Sequence, residues 1–463
     1  NYALQSISWN IDIKEEKDMK PIVVFNPHSW PVRTPVEIEH GIFVNYTLPE
    51  EFMIEDVHGN EVPYQIVDPV AKIPNRKRVV FLADIPPLGY STYKLRAVKP
   101  KNSFESMQIE DFTMENERLK VVIDPITGGM SSLYDKEKDI EVFKDHGALP
   151  VVINDLSDAW GHGQLRFDDK IGKFKPVKVK KVEDGPVRGV IRVISEYEKS
   201  TLVQDFILYK QLHKVEVKVK VNWQEKYKAL KIQFPVSFSQ RKVTYEIPFG
   251  QITREANGEE EPMQNWVDVT GTINKEKKDI YGLSILNDSK YSADATGNTI
   301  HLTVLRSPIY AHHIPFEPDL EDDYPIIDQG IQTFTYTLLP HENGFEEANT
   351  VQHAWELNQK AQVIVETYHQ GSLPQEDSFI SIDQPNVILS SMKHAEDGDG
   401  VIVRLYETNH QDTVAHLELP LWDRSVTLHF GRSEVKTIFI PFDTSQSIYE
   451  TNLIEDKLGE ENE

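Results

Sequence analysis

The densest concentration of side chains able to do chemistry is the run Asn154-Asp155-Leu156-Ser157-Asp158-Ala159-Trp160-Gly161-His162-Gly163-Gln164. It brings two carboxylates, an indole, an imidazole and two glycines into one expected loop. The mixture suits a sugar. Carboxylates accept hydrogen bonds from hydroxyls, a flat aromatic face covers the apolar face of a pyranose, and glycine lets backbone come close. The same residue types also make a hydrogen-bonded structural loop in which Asp155 and Asp158 cap turns. Spacing leaves both readings open. For Asp155 and Asp158 to be the acid and nucleophile of a retaining glycosidase, their carboxyl groups would have to stand about 5–5.5 Å apart in different environments. With 74 acidic residues in the chain, a close pair is expected by chance.

Other polar groupings are sparser. His312-His313 follows Arg306-Ser307-Pro308-Ile309-Tyr310-Ala311, but adjacent histidines on a strand point to opposite faces and make a poor chelate. No His-Glu-x-x-His motif is present, so no metal site is expected within this chain, and Arg306 with its neighbouring histidines is expected in loop hydrogen bonds or lining a pocket. The acidic stretch Glu255–Glu261, between Glu246-Ile247-Pro248-Phe249-Gly250 and Asn265-Trp266-Val267-Asp268, reads as a solvated hairpin tip. There is neither a phosphate-cradling glycine loop nor a Gly-x-Ser-x-Gly elbow, which sets aside nucleotide-dependent and serine-hydrolase chemistry.

The elements that must position these groups are strands. Val215-Glu216-Val217-Lys218-Val219-Lys220-Val221 alternates apolar and charged residues, the mark of an antiparallel strand with one buried face. Similar runs recur at 187–197, 301–305, 332–338, 401–406 and 426–430, between turn formers such as His58-Gly59-Asn60 and Asp397-Gly398-Asp399-Gly400. The best helical pattern, within 346–367, gives way to Val363-Ile364-Val365, so a short helix leading into a strand is expected. A chain of 463 residues carries about three domains at roughly 150 residues each. Soft joints at Lys99–Asn102 and His369–Asp377 divide it into 1–102, 103–370 and 371–463. Strands without intervening helices predict an all-β protein of several β-sandwich domains, the central one unusually large. The acidic tail Glu455–Glu463 is expected to be disordered.

Bulk composition narrows the partners. A formal net charge of -25 argues against nucleic acid and anionic membranes, because both recruit clustered Lys and Arg. The one basic segment, Lys175–Lys181, alternates like a strand with a solvated face. No run approaches the roughly 20 apolar residues of a membrane helix, so a soluble protein is expected. Zero cysteines excludes disulfides and thiolate chemistry and fits a cytoplasmic location. The first residues, Asn1-Tyr2-Ala3-Leu4-Gln5, lack the pattern of a signal peptide and read like the middle of a longer protein.

Ordered segments across nearly the whole chain carry a resemblance. They include Val23-Val24-Phe25-Asn26-Pro27-His28-Ser29-Trp30, Asp124-Pro125-Ile126-Thr127-Gly128-Gly129, Asp158-Ala159-Trp160-Gly161-His162, Ile247-Pro248-Phe249-Gly250 with Asn265-Trp266-Val267-Asp268, Leu305-Arg306-Ser307-Pro308 and Gln384-Pro385-Asn386-Val387. Together they resemble the region of glycoside hydrolase family 38 α-mannosidases, of bacterial type, that follows the catalytic barrel. The resemblance implies β-sandwich domains, the largest similar to the supersandwich of galactose-mutarotase-like proteins. It implies hydrolysis of terminal α-D-mannosides with retention, in mannose-containing glycans or simple α-mannosides, by a parent enzyme. That enzyme's zinc, nucleophile and general acid belong to an N-terminal catalytic domain, so this chain is expected to supply no catalytic residue and to be inactive alone. Asp158, Trp160 and His162, with Arg306, are the residues expected to line one side of the substrate pocket. The sandwich surfaces could also serve assembly into a homo-oligomer. Rival readings are a stand-alone carbohydrate-binding protein and a mutarotase-like epimerase, the latter requiring His162, His213 and a glutamate to converge in one cleft.

Overall fold

The computed structural model describes residues 2–40, 51–70, 77–161, 163–274, 279–312 and 319–458. The chain forms two compact units, one of residues 1–105 with 359–463 and one of residues 106–358. Strand pairing between named strands is antiparallel throughout, which lets each strand bury one face and wet the other. The all-β, multi-sandwich architecture expected from the sequence is the one found.

In the 106–358 unit, a nine-stranded sheet runs in the order Lys175–Asp184, Arg188–Tyr197, Ser200–Tyr209, Val215–Trp223, Gly330–Glu342, Asp279–Asn287, Trp266–Asn274, Ser239–Ile247, Gly250–Arg254. A six-stranded sheet runs Lys170–Lys173, Leu149–Asn154, Lys228–Pro235, Thr299–Ser307, Ser292–Thr296, Asn257–Pro262. Val217, Val219 and Val221 from the first sheet and Val152, Leu230 and Ile232 from the second share one hydrophobic core. A small four-stranded sheet spanning 113–141 adds Leu119, Val121 and Leu133 to it. This is the large supersandwich expected for the centre of the chain. The basic segment at 175–181 is the edge strand of the nine-stranded sheet, interrupted by two register shifts. Exposed lysines and bulges blunt an edge that would otherwise template further pairing.

Leu149–Asn154 is buried along nearly its whole length. Val152 enters the main core, while Val151 and Ile153 pack on the other face with Phe167 and Ala229. A continuous apolar run in place of alternation is what a strand covered on both faces requires.

The other unit holds two sandwiches. Strand Met19–Asn26 pairs with Gly89–Arg96 on one side and with Gln362–Val365 on the other. Glu376–Ser378 also adds to Gly89–Arg96. The stretch 359–370, placed by sequence in the central span, thus belongs with the first sandwich, where Ala361 and Val363 pack against the Ile22, Val24 and Phe81 core. Backbone pairing across some 340 residues has no compositional mark, so the joints read from turn formers fall elsewhere. Sheets containing Thr413–Leu419 and Gly400–Glu407 face each other over Leu405, Leu417 and Ile438 in the second sandwich. The acidic tail is ordered through Leu458: Glu455 accepts the Glu396 N–H at 2.8 Å and pairs with Lys393 at 2.7 Å. Residues 459–463 lie outside the described residues. The expected short helix is Thr350–Asn358, and the strand after it is Gln362–Val365. Among the described residues no helix is long and apolar enough to cross a membrane.

The Glu246–Gly250 and Asn265–Asp268 segments are brought together as neighbouring strand ends. Glu246 is buried, and its carboxylate accepts the Asn265 N–H at 2.5 Å. Burial pushes the Glu246 carboxyl from 4.5 up to about 7, against the pull of the Asn265 hydrogen bonds. A raised folded-state value means that the stability contribution is full below pH 4.5 and is lost as pH rises through 7. Glu246→Gln removes the penalty of the buried charge. Chemical denaturation should find the variant more stable than the parent at pH 8, by on the order of 2 kcal/mol, with the advantage largely gone at pH 5. An equal change at both pH values would contradict the assignment.

Candidate functional site

The loop after Leu149–Asn154 is built around a carboxylate with no exposure to water. Asp155 accepts two hydrogen bonds from Arg306, at 2.8 Å from Nε and 3.1 Å from Nη2. The same Nη2 donates to Ser157 Oγ at 2.6 Å and to the Asp158 carbonyl at 3.2 Å. Ser157 Oγ in turn donates to Asp155 at 2.6 Å. Asp158, also buried, receives the backbone N–H groups of Trp160 and Gly161 on Oδ1, at 2.9 and 3.1 Å. An Ala159 N–H bond to the Ile309 carbonyl at 2.9 Å ties the loop to the segment after Arg306. The positive φ of Gly161 and Gly163 explains the glycines at the tip.

This geometry sorts the residues singled out by sequence. Asp155, Asp158 and Arg306 face inward and define the loop. The close carboxylates are a buried ion-pair acceptor and a turn cap, not a solvent-facing acid and nucleophile. Trp160, 71% exposed, is what the loop presents to solvent, with Tyr310 exposed on the adjoining segment. His162 lies outside the described residues, as does His313, whereas His312 sits edge-on against Tyr324. His213 is not brought to this loop. Asp155 N–H binds the Tyr227 carbonyl, and Tyr227 N–H and Trp223 Nε1 bind Ser307, which sets the loop at the Trp223 end of Val215–Trp223. His213 precedes the opposite end, and at about 3.3 Å per residue those ends are roughly 26 Å apart. The convergence that an epimerase would need is therefore missing for His213.

Sequence reasoning missed a second cluster on the same sheet. Lys231, 1% exposed, holds Asp294 at 2.5 Å and Glu260 at 2.6 Å. His301 Nδ1 lies 2.9 Å from Asp294, and Thr303 Oγ1 donates to Glu260 at 2.6 Å. Burial alone would raise the Asp294 carboxyl, but His301 and Lys231 outweigh it and hold it below its ordinary value. Glu260 corrects the expected solvated tip: Asn257–Pro262 is an edge strand of the six-stranded sheet, and its glutamate turns in to Lys231. Phe167 lies between the two clusters, with the Arg306 guanidinium 4.2 Å and Lys231 Nζ 5.8 Å from its ring centre. The only advance signal was a lysine at a strand position that alternation would have assigned to solvent. Among the described residues no three His, Asp or Glu side chains gather as a metal site.

Removing one partner of the Asp155–Arg306 pair leaves a buried charge uncompensated. Arg306→Met should cost about 3–5 kcal/mol in urea denaturation, and adding Asp155→Asn should recover much of that loss. A double variant whose loss is the sum of the two single losses would show that the pair does not hold the loop.

The comparisons with known proteins agree with this architecture. The model of the glycosyl hydrolases family 38 C-terminal domain matches residues 114–324, and that of the family 38 C-terminal beta sandwich domain matches residues 386–463. Alpha-mannosidase G of Dictyostelium discoideum is 26% identical over 356 residues, covering 70% of this chain and 31% of the relative. The alpha-mannosidase of Saccharomyces cerevisiae is 28% identical over 328 residues, covering 65% of this chain and 28% of the relative. The chain thus spans just under a third of these curated relatives. The crystal structure of an alpha-mannosidase from Enterococcus faecalis shares the fold, with a TM-score of 0.74 over 95% of this chain and 58% of that one, at 15% identity. Two family models in order, on a supersandwich followed by a smaller sandwich, lead to one conclusion: the chain belongs to glycosyl hydrolases family 38 and carries the C-terminal region of its α-mannosidases.

Proposed function

We propose that this chain is the non-catalytic C-terminal portion of a retaining α-mannosidase, which scaffolds the enzyme and lines part of its substrate pocket with the Trp160 loop. The observation that carries this reading is a large indole, 71% exposed, on a loop fixed by a buried arginine–carboxylate pair. An exposed tryptophan on a rigid support is a ready platform for the apolar face of a pyranose. The family match and the length of the relatives support a parent protein whose N-terminal catalytic domain supplies the nucleophile, the general acid and zinc. In that parent the substrate is a terminal α-D-mannoside. The cysteine-free composition fits a reducing, cytoplasmic setting.

Within this reading the chain acts through binding and position. Trp160 holds the sugar ring while Asp155, Ser157 and Arg306 keep the indole in place. Stacking worth about 1 kcal/mol corresponds to roughly a fivefold change in affinity.

Hydrolysis of an aryl α-mannoside should be absent with this chain alone and present with the chain extended through its natural upstream region. In the extended protein, Trp160→Ala should raise KM by roughly fivefold with an unchanged melting transition. Zinc-independent turnover by the chain alone would sink the scaffold reading. Unaltered kinetics in Trp160→Ala would remove the tryptophan from the pocket.

A further inference from the structure

A cavity of about 320 Å³ opens at the end of the nine-stranded sheet, lined among others by Asp135, His213, Pro340, His341 and His353. Its size falls at the lower end of small-molecule pockets, about 300–1,000 Å³. Two of its imidazoles are held so that one ring nitrogen of each is committed and the other is buried without a partner.

His341 is 6% exposed. Its Nε2 lies 2.7 Å from Asp268 Oδ2 and 3.2 Å from Ser284 Oγ, beneath helix Thr350–Asn358, whose Thr350 hydroxyl is 2.7 Å from Ser284 Oγ. Asp268 is buried, so the proton of the neutral ring sits on Nε2 and the Nδ1 lone pair is left as an acceptor. Gly282 is required here, since any side chain at that position would overlap the His341 ring. At His213 the polarity is reversed. Arg118 Nη1 lies 2.8 Å from His213 Nδ1, and because arginine can only donate, the proton of that ring is on Nε2. Burial, and Arg118 with it, hold the His213 imidazolium below its ordinary range, even against nearby Asp135. The His213 Nε2–H is buried and has no acceptor; Asp135 Oδ2, at 3.7 Å, is beyond hydrogen-bond reach and already takes the Tyr281 hydroxyl at 2.7 Å.

Two residues that line the cavity therefore carry a buried donor and a buried acceptor, each costing about 1–3 kcal/mol while unsatisfied. A hydroxyl group answers both, accepting from one nitrogen and donating to the other. At the rim Arg118 pairs with Glu137 at 3.0 Å and Lys138 with Glu342 at 2.7 Å, so both of these cations already face carboxylates. We propose that this cavity is a binding site for a neutral polyhydroxy compound, a hexose in its simplest form, recognised through a hydroxyl set between His213 and His341.

Saturation-transfer NMR and calorimetry on the whole chain test this with D-mannose and D-glucose as probes and inorganic phosphate as the ionic control. Sugar binding is expected in the parent chain, and should weaken by roughly tenfold or more in His213→Leu, the equivalent of one lost hydrogen bond. His213→Gln, which keeps an N–H near the same place, should restore it. His213 is partly accessible and lies outside the Asp268 network, so these two variants carry the test even where His341→Leu does not fold. Absence of sugar binding would mean that the cavity holds water only and would overturn the proposal. So would tighter binding of phosphate than of sugar, or sugar binding lost in Trp160→Ala and kept in His213→Leu. That last pattern would place the sugar on the Trp160 loop and leave the proposed pocket role intact.

Discussion

A carboxylate taken wholly out of water needs a fixed cation, and at Asp155 that cation is Arg306. Much of the local architecture follows from this pairing. The guanidinium comes from Thr299–Ser307, two strands away from Leu149–Asn154, so the ion pair ties the start of the loop to the far side of the strand between them. Its remaining N–H groups reach Ser157 and the Asp158 carbonyl, and its flat face covers Phe167. One side chain thus closes the loop, orients its second carboxylate as a turn cap and packs the segment that covers the sheet.

The sheet beneath imposes the complementary constraint. A strand such as Val215–Trp223, alternating buried and wet residues, needs cover on one face only. Leu149–Asn154 is apolar on both faces and would expose Val151 and Ile153 without Phe167 above them. Covering that second face places Lys231 out of water, which in turn requires the carboxylates of Asp294 and Glu260. The acidic residues around 255–261 are therefore in part a consequence of a buried lysine.

What could be read from the sequence follows the same division. Alternation identified the strands, and the change of pattern after Leu357 marked a short helix before a strand. The loop at 155–163 was found because its residue types are unusual side by side. The roles inside it were not legible, since Asp155 finds its partner 151 residues away at Arg306. Glu260 was misjudged and Lys231 missed for a related reason: a charged residue at an alternating position reads as solvated unless the cover on that face is known. The domain joints suffered likewise, because Gln362–Val365 joins Met19–Asn26 through backbone hydrogen bonds that any sequence can make.

Two buried polar clusters in the supersandwich show how saturation separates structure from recognition. Around Lys231 the cation meets two carboxylates, and those meet His301 and Thr303, a closed network of the kind that fixes a fold. Around His341 the network closes on one side only. Asp268, Ser284 and Thr350 satisfy one edge of the ring, and its Nδ1 is left facing no partner, as is Nε2 of His213. An apolar residue at either position would avoid that cost, as the valines and leucines nearby do. Both rings carry their proton on Nε2, but Asp268 engages that proton in His341 while Arg118 engages the bare Nδ1 in His213, so an acceptor is left unmet on one ring and a donor on the other; a group with both a lone pair and a proton complements them, and a hydroxyl is the smallest that has both.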